Sequence, residues 1–134
     1  MEGEKKKILI VDDDNFLLDM YALKFSQSNY EVHTSSGAED ALSKIKGGLQ
    51  PDVLLTDIIM PEVDGFEMLG RINAENLSPN SIKIVLSNKS EQADIDQGNA
   101  LGVAGYIIKA NCTPKEVLEQ VGEITSKKIA ISNT

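Results

Sequence analysis

Five residues of this chain could do chemistry together: Asp12, Asp13, Asp57, Ser87 and Lys109. Asp12-Asp13 end the apolar run Ile8-Leu9-Ile10-Val11, and Asp57 follows Val53-Leu54-Leu55-Thr56. Ser87 closes Ile82-Lys83-Ile84-Val85-Leu86, and Lys109 closes Gly105-Tyr106-Ile107-Ile108. If these runs are parallel strands, their carboxyl ends share one sheet edge, which is where ligands bind in open α/β sheets. Three carboxylates crowded there would raise one another's pKa values unless a cation sat among them, so the cluster predicts a hard divalent metal. Mg2+ suits it best, because it takes one or two carboxylates and keeps positions open for water and phosphate oxygens. An ionised Asp57 can then attack a phosphoryl group while the cation, the Lys109 ammonium and the Ser87 hydroxyl stabilise charge on the transferring oxygens. No histidine or second base is needed on this chain, because the nucleophile is already ionised and the donor brings the leaving group.

The elements that must position these groups are legible from periodicity. Ile8–Val11 is continuously aliphatic, as expected for a strand buried on both faces of a parallel sheet, and is expected to be central. Asp14 can cap a first helix in which Leu18, Tyr21, Ala22 and Phe25 fall at helical spacing, ending near Ser28. Tyr30–Thr34 alternates as a second strand nearer an edge. Ser36 and Glu39 form a predicted capping box for a second helix with the stripe Ala38, Ala41, Leu42 and Ile45, stopped by Gly47-Gly48. A third helix is predicted over Gly65–Ala74, with Phe66, Leu69 and Ile72 inward and a break at Ser78-Pro79-Asn80. A fourth spans Glu91–Leu101 with Gly98 in its interior, which costs about 1 kcal/mol against alanine and marks it as the element expected to move. Thr113-Pro114 with Glu116 opens a last helix carrying Val117, Leu118, Val121 and Ile124, with a frayed tail expected from Ile129 to Thr134. Five strands each followed by a helix predict an α/β class, a doubly wound parallel sheet with right-handed crossovers.

Composition excludes other classes. The 134 residues suit one domain, and with 41% apolar and 25% charged residues the chain reads as soluble and globular, with no apolar run long enough to cross a membrane. The N-terminal Met1–Lys7 carries basic charge but no long apolar run or small-residue cleavage site after it, so no signal peptide and a cytoplasmic location are predicted. A formal charge of -8 argues against a general nucleic-acid-binding surface. The single Cys112 has no partner for a disulfide or zinc site, and the lone His33 falls on a predicted strand as a surface position.

Taken jointly, these marks resemble the receiver domains of CheY-like two-component response regulators: Asp12-Asp13 after a hydrophobic strand, Asp57 with Met60-Pro61 and Asp64-Gly65, Ser87 at a strand end, and Gly105-Tyr106 ahead of Lys109. The resemblance spans Lys7 to Lys128, leaving residues 1–6 as an N-terminal extension and 129–134 as a tail, and implies the flavodoxin-like strand order 2-1-3-4-5 with five helices. It implies that a histidine kinase or phosphotransfer protein phosphorylates Asp57. Asp13, Asp57 and the Ile59 carbonyl would bind Mg2+ directly, with Asp12 helping through water. Ser87 and Tyr106 would form a switch pair that biases the surface of the fourth helix, fifth strand and fifth helix toward an unknown output partner, or toward a phosphorylation-dependent dimer. Ile59, Asn88 and Lys89 would modulate phosphoryl lifetime, with Ile59 and Lys89 on the path of hydrolytic water. Such a domain is no enzyme beyond catalysing its own phosphorylation and dephosphorylation. Two residues depart from the pattern. Ala110 stands where the family usually has a proline in a cis peptide, which predicts a trans, rearranged loop, and Asn88 replaces a small residue and could obstruct the site or hydrogen-bond the phosphoryl group.

Two alternatives stay open at this level. A haloacid dehalogenase-type phosphatase would use Asp12 of Asp12-Asp13-Asp14, but leaves Asp57 with Met60-Pro61 unexplained. A receiver-shaped interaction module would signal without phosphate. No second domain follows Lys128, so the output is expected from a separate partner or from a longer protein.

Overall fold

A computed structural model describes residues 5–132 of the chain. Five strands, β1 (Lys6–Val11), β2 (Tyr30–Ser35), β3 (Val53–Thr56), β4 (Ile82–Ser87) and β5 (Gly105–Ile108), form one parallel sheet in the order β2-β1-β3-β4-β5. They alternate with α1 (Asn15–Ser26), α2 (Ala38–Lys46), α3 (Gly65–Ala74), α4 (Gln92–Ala100) and α5 (Pro114–Ser132). The doubly wound order expected from the resemblance is therefore present, with β1 interior, β3 in the middle and β2 at an edge.

Alternation along each strand sorts the core into two layers, because successive strand side chains point to opposite faces. Leu9, Val11, Leu54 and Val85 pack with Ala41, Leu42 and Ile45 of α2 and Met68, Leu69 and Ile72 of α3. Ile8, Ile10, Val53, Leu55, Ile84, Leu86 and Ile107 pack with Leu18, Tyr21 and Phe25 of α1 and Val117 and Val121 of α5. The uninterrupted aliphatic runs of β1 and β3 are thus explained by burial on both faces. Among the described residues no helix is long and apolar enough to cross a membrane.

Helix ends follow local chemistry with two exceptions. Asp14 caps α1, its Oδ1 accepting from the N–H groups of Phe16 and Leu17 at 3.1 and 3.2 Å. Thr113 and Glu116 cap α5 reciprocally. The box expected at Ser36 and Glu39 does not form: Gly37 is the N-cap of α2, and Glu39 instead accepts from Arg71 Nη1 on α3 at 2.9 Å. The tail expected to fray from Ile129 continues α5 as far as Ser132, with no glycine or proline after Gly122 to stop the helix; residues 133–134 lie outside the described residues. The strand β1 begins at Lys6, whose partner is Tyr30, inside the stretch read as an extension.

Candidate functional site

The strands β1, β3, β4 and β5 all deliver polar groups to the carboxyl edge, because the core ends there and the backbone turns away. The pairing of β1 continues one step past its end, with the Asp12 N–H donating to Ser35 O at 3.1 Å. The Asp57 N–H does the same to Val11 O at 2.9 Å. Both carboxylates are consequently held at the rim of a rigid sheet while remaining buried, at 2% and 7% exposure, and Asp13 is exposed.

The Lys109 ammonium joins them, 2.6 Å from Asp12 Oδ2 and 2.7 Å from Asp57 Oδ2. The remaining oxygens face backbone donors: Asp12 Oδ1 accepts from the Asp14 N–H at 2.9 Å, and Asp57 Oδ1 from the Ile58 N–H at 2.7 Å. One carboxylate oxygen from each of Asp12, Asp13 and Asp57 lies within 4.8 Å of the others. A single ammonium cannot neutralise three carboxylates, and the donor set is all oxygen, so the cluster fits a hard divalent cation such as Mg2+. Burial pushes the Asp12 carboxyl above its ordinary range against the opposing pull of Lys109 and the Asp14 N–H. Burial also works against the charged Lys109, but its hydrogen bonds and attraction to Asp12 and Asp57 outweigh that and hold the ammonium above its ordinary value.

These groups line an open cleft of about 360 Å³ that also includes Ile59, Ser87 and Asn88. A groove of similar size, about 370 Å³, lies between α1 and the start of α5, but it is walled by Met20, Leu23 and Pro114 and has no cluster of carboxylates. The chemistry therefore belongs to the acidic cleft.

Family membership follows from the whole chain as well as from these side chains. Residues 8–122 match the model of the response regulator receiver domain. The chain belongs to that family. It is 32% identical over 119 residues to the alkaline phosphatase synthesis transcriptional regulatory protein PhoP of Bacillus subtilis, a match covering 89% of this chain and 48% of PhoP. The transcriptional regulatory protein ResD of the same organism is 32% identical over 122 residues, covering 90% and 48%. This receiver domain thus spans about half the length of these relatives. Among solved structures, a CheY-like response regulator receiver domain protein from Methanospirillum hungatei superposes with a TM-score of 0.84 at 28% identity, covering 95% of this chain and 98% of that one.

Ser87 and Tyr106, expected to form a switch pair, are linked through Lys89. The buried Ser87 Oγ accepts from the Lys89 N–H at 3.2 Å, and the Tyr106 hydroxyl donates to the Lys89 carbonyl. The Lys89 ammonium pairs with Asp94 in the first turn of α4 at 2.9 Å, so its side chain serves α4 and does not line the cleft. Gly98 has a use that its helix propensity does not reveal: a Cβ there would sit 3.2 Å from Tyr106 Cδ2, so the glycine makes room for the ring.

The peptide between Lys109 and Ala110 is trans, and Lys109–Asn111 form a short 3-10 turn. Asn88 Oδ1 accepts from the Ala110 N–H at 2.8 Å, a contact no local pattern announces. Sequence reasoning also missed a second apolar stripe on α1, where Phe16, Met20 and Leu23 are 74%, 37% and 60% exposed. Its signal was present: positions 16, 20 and 23 repeat at helical spacing out of phase with the buried 18, 21 and 25. His33 is half-buried and its ring hydrogen-bonds Glu31, and Cys112 accepts from Gln120 Nε2 at 3.0 Å; neither lines the cleft.

Proposed function

We propose that this receiver domain accepts a phosphoryl group on Asp57 from a histidine kinase or phosphotransfer protein and thereby switches its α4-β5-α5 surface to control a downstream partner. The observation that carries the reading is the Asp57 carboxylate, held at the end of β3 with the Lys109 ammonium 2.7 Å away and oxygens of Asp12 and Asp13 within 4.8 Å. A carboxylate oxygen of Asp57 forms the new O–P bond. The P–N bond to the donor's imidazole breaks, and the imidazole leaves with that electron pair. Lys109, already on an oxygen of Asp57, follows the negative charge onto the transferred phosphoryl oxygens. Asp13, Asp57 and the Ile59 carbonyl would hold Mg2+ directly, with Asp12 helping through water, and a cation there would supply neutralisation of phosphoryl charge. The hydroxyl proton of Ser87 is free for a phosphoryl oxygen, because Ser87 Oγ acts only as an acceptor toward Lys89. When Ser87 turns to the phosphoryl group, the Lys89 N–H loses its acceptor, and Lys89 also holds Tyr106 and Asp94. The switch therefore reaches α4 and β5 through one residue's backbone and side chain.

The exposed Phe16, Met20 and Leu23 lie on α1, the helix that follows Asp12-Asp13-Asp14, and would give a donor protein apolar surface to cover while it delivers the phosphoryl group. The domain catalyses only its own phosphorylation and dephosphorylation, and its place is the cytoplasm, with a kinase as donor and either an output partner or a second copy on α4-β5-α5. The phosphatase alternative would use Asp12, the more deeply buried of the two carboxylates at 2% exposure against 7% for Asp57, although a backbone N–H and Lys109 engage both alike.

Incubation with acetyl phosphate and Mg2+ tests the reading by mass spectrometry. One phosphoryl group mapped to Asp57, and lost in Asp57→Asn, is expected. An adduct on Asp12 would favour the phosphatase, and no adduct would favour a phosphate-independent module.

A further inference from the structure

The ladder between β4 and β5 ends with Ser87 opposite Ile108. Beyond it the two chains diverge into loops, yet one more rung exists: the Ala110 N–H donates to Asn88 Oδ1 at 2.8 Å. Because a backbone N–H can only donate, the amide of Asn88 is oriented with its oxygen toward Ala110 and its NH2 group turned elsewhere. The rung joins the residue after Ser87 to the residue after Lys109. It also joins the two positions at which the chain departs from the receiver pattern, and the departures are chemically matched: a proline at 110 would have no N–H to donate, and a small residue at 88 would have no acceptor to offer.

We propose that Asn88 is a positioning residue for the reaction at Asp57: by binding the Ala110 N–H it ties the β4 end to the β5 end and fixes the backbone that carries Lys109 between Asp12 and Asp57. The inference rests on the phosphoacceptor reading for its kinetic consequence. The tether itself is independent of that reading. Its mechanical basis is that the β4–β5 ladder ends at Ile108, Lys109 opens a short 3-10 turn in which the Cys112 N–H donates to Lys109 O at 3.1 Å, and the Ala110 N–H of the peptide following Lys109 is held across to the β4 end by Asn88. The same tether makes the Ser87 and Lys109 backbones move together, so the two side chains that would meet the phosphoryl oxygens keep their spacing.

The test uses the full 134-residue chain, labelled with 15N and 13C. Asn88→Ala is expected to speed hydrogen exchange at the Ala110 amide about fivefold or more and to shift the Lys109 Cε signal. Asn88→Asp, which keeps an acceptor of the same shape, is expected to restore the protection. With acetyl phosphate and Mg2+, Asn88→Ala is expected to slow adduct formation at Asp57 about threefold or more. Ala110→Pro removes the donor, so Asn88→Ala is expected to have no further effect on the rate in that background. Unchanged Ala110 exchange in Asn88→Ala, or rate losses that multiply in the double variant, would overturn the tether. An unmodified wild-type chain would instead overturn the phosphoacceptor reading, and the Ala110 and Lys109 signals then judge the tether by themselves.

Discussion

Replacing Gly65 by alanine should damage the site from beneath. Gly65 is the first residue of α3, and its N–H donates to Ile58 O at 2.8 Å, pinning the loop after β3 against the helix end. A Cβ on Gly65 would fall 2.2 Å from the Asp57 carbonyl oxygen and 2.9 Å from Ile58 Cα. Ordinary contact needs ~3.5 Å, so the backbone of the phosphoacceptor must retreat by about 1 Å. Overpacking against backbone costs about 1–3 kcal/mol, and the loss of glycine's freedom in the unfolded chain returns under 1 kcal/mol, which leaves about 1.5 kcal/mol of destabilisation. The internal comparison is Gly105→Ala, where the Cβ would meet Ile124 Cδ1 at 2.4 Å. That atom is the end of a flexible side chain and can rotate away, so the cost there is about 1 kcal/mol or less. Urea unfolding followed by circular dichroism gives both values, and Mg2+ titration should show weaker binding only in Gly65→Ala. The reasoning fails if Gly65→Ala unfolds within about 0.5 kcal/mol of the wild type, or if Gly105→Ala is the more damaging change.

Mg2+ should raise the thermal midpoint, by about 2.7 kcal/mol of stability at a hundred times its dissociation constant, and calorimetry should show that Asp13→Asn removes most of this gain. Gly98→Ala adds about 1 kcal/mol of helix propensity but places a Cβ 3.2 Å from the Tyr106 ring; the net stability change should be small while the Tyr106 ring signals shift in NMR spectra. Asp94 is held below its ordinary value of 3.8, first by the hydrogen bond from Lys89 and then by the Glu91 N–H. A depressed carboxyl contributes stability above its unfolded pKa and loses it as pH falls through the folded one, so protection of the first turn of α4 should persist to about pH 4 and fade below it. Lys89→Met should move the Asp94 carboxyl titration upward, as read by 13C NMR.

The strands, their order in the chain, most helix boundaries and the polar residue at each strand end were legible because they rest on short-range physics. Period-two burial, helical spacing and caps involve neighbours within a few positions, and Asp14, Thr113 and Glu116 behaved as their local patterns predict. Parallel topology then sends every strand's carboxyl end to one edge, which is why Asp12, Asp13, Asp57, Ser87 and Lys109 could be grouped without coordinates. Contacts between distant segments were a different matter. Glu39 had a good local use as a cap partner and was taken by Arg71 from the neighbouring helix. Gly65 reads only as the start of a helix, whereas its place is set by the Asp57 carbonyl packed against it, and Gly98 reads as a weak point in a helix, whereas it houses a tyrosine ring.

The chain alone therefore determined which groups could react, since residue type and position at a strand end are local properties. Only the tertiary structure decided how those groups are held: which oxygens Lys109 bridges, where Lys89 spends its charge, and that Asn88 closes one more rung onto Ala110. The physical reason is that such partners are chosen among groups far apart in sequence by fractions of an ångström in packing, and no periodicity encodes that choice.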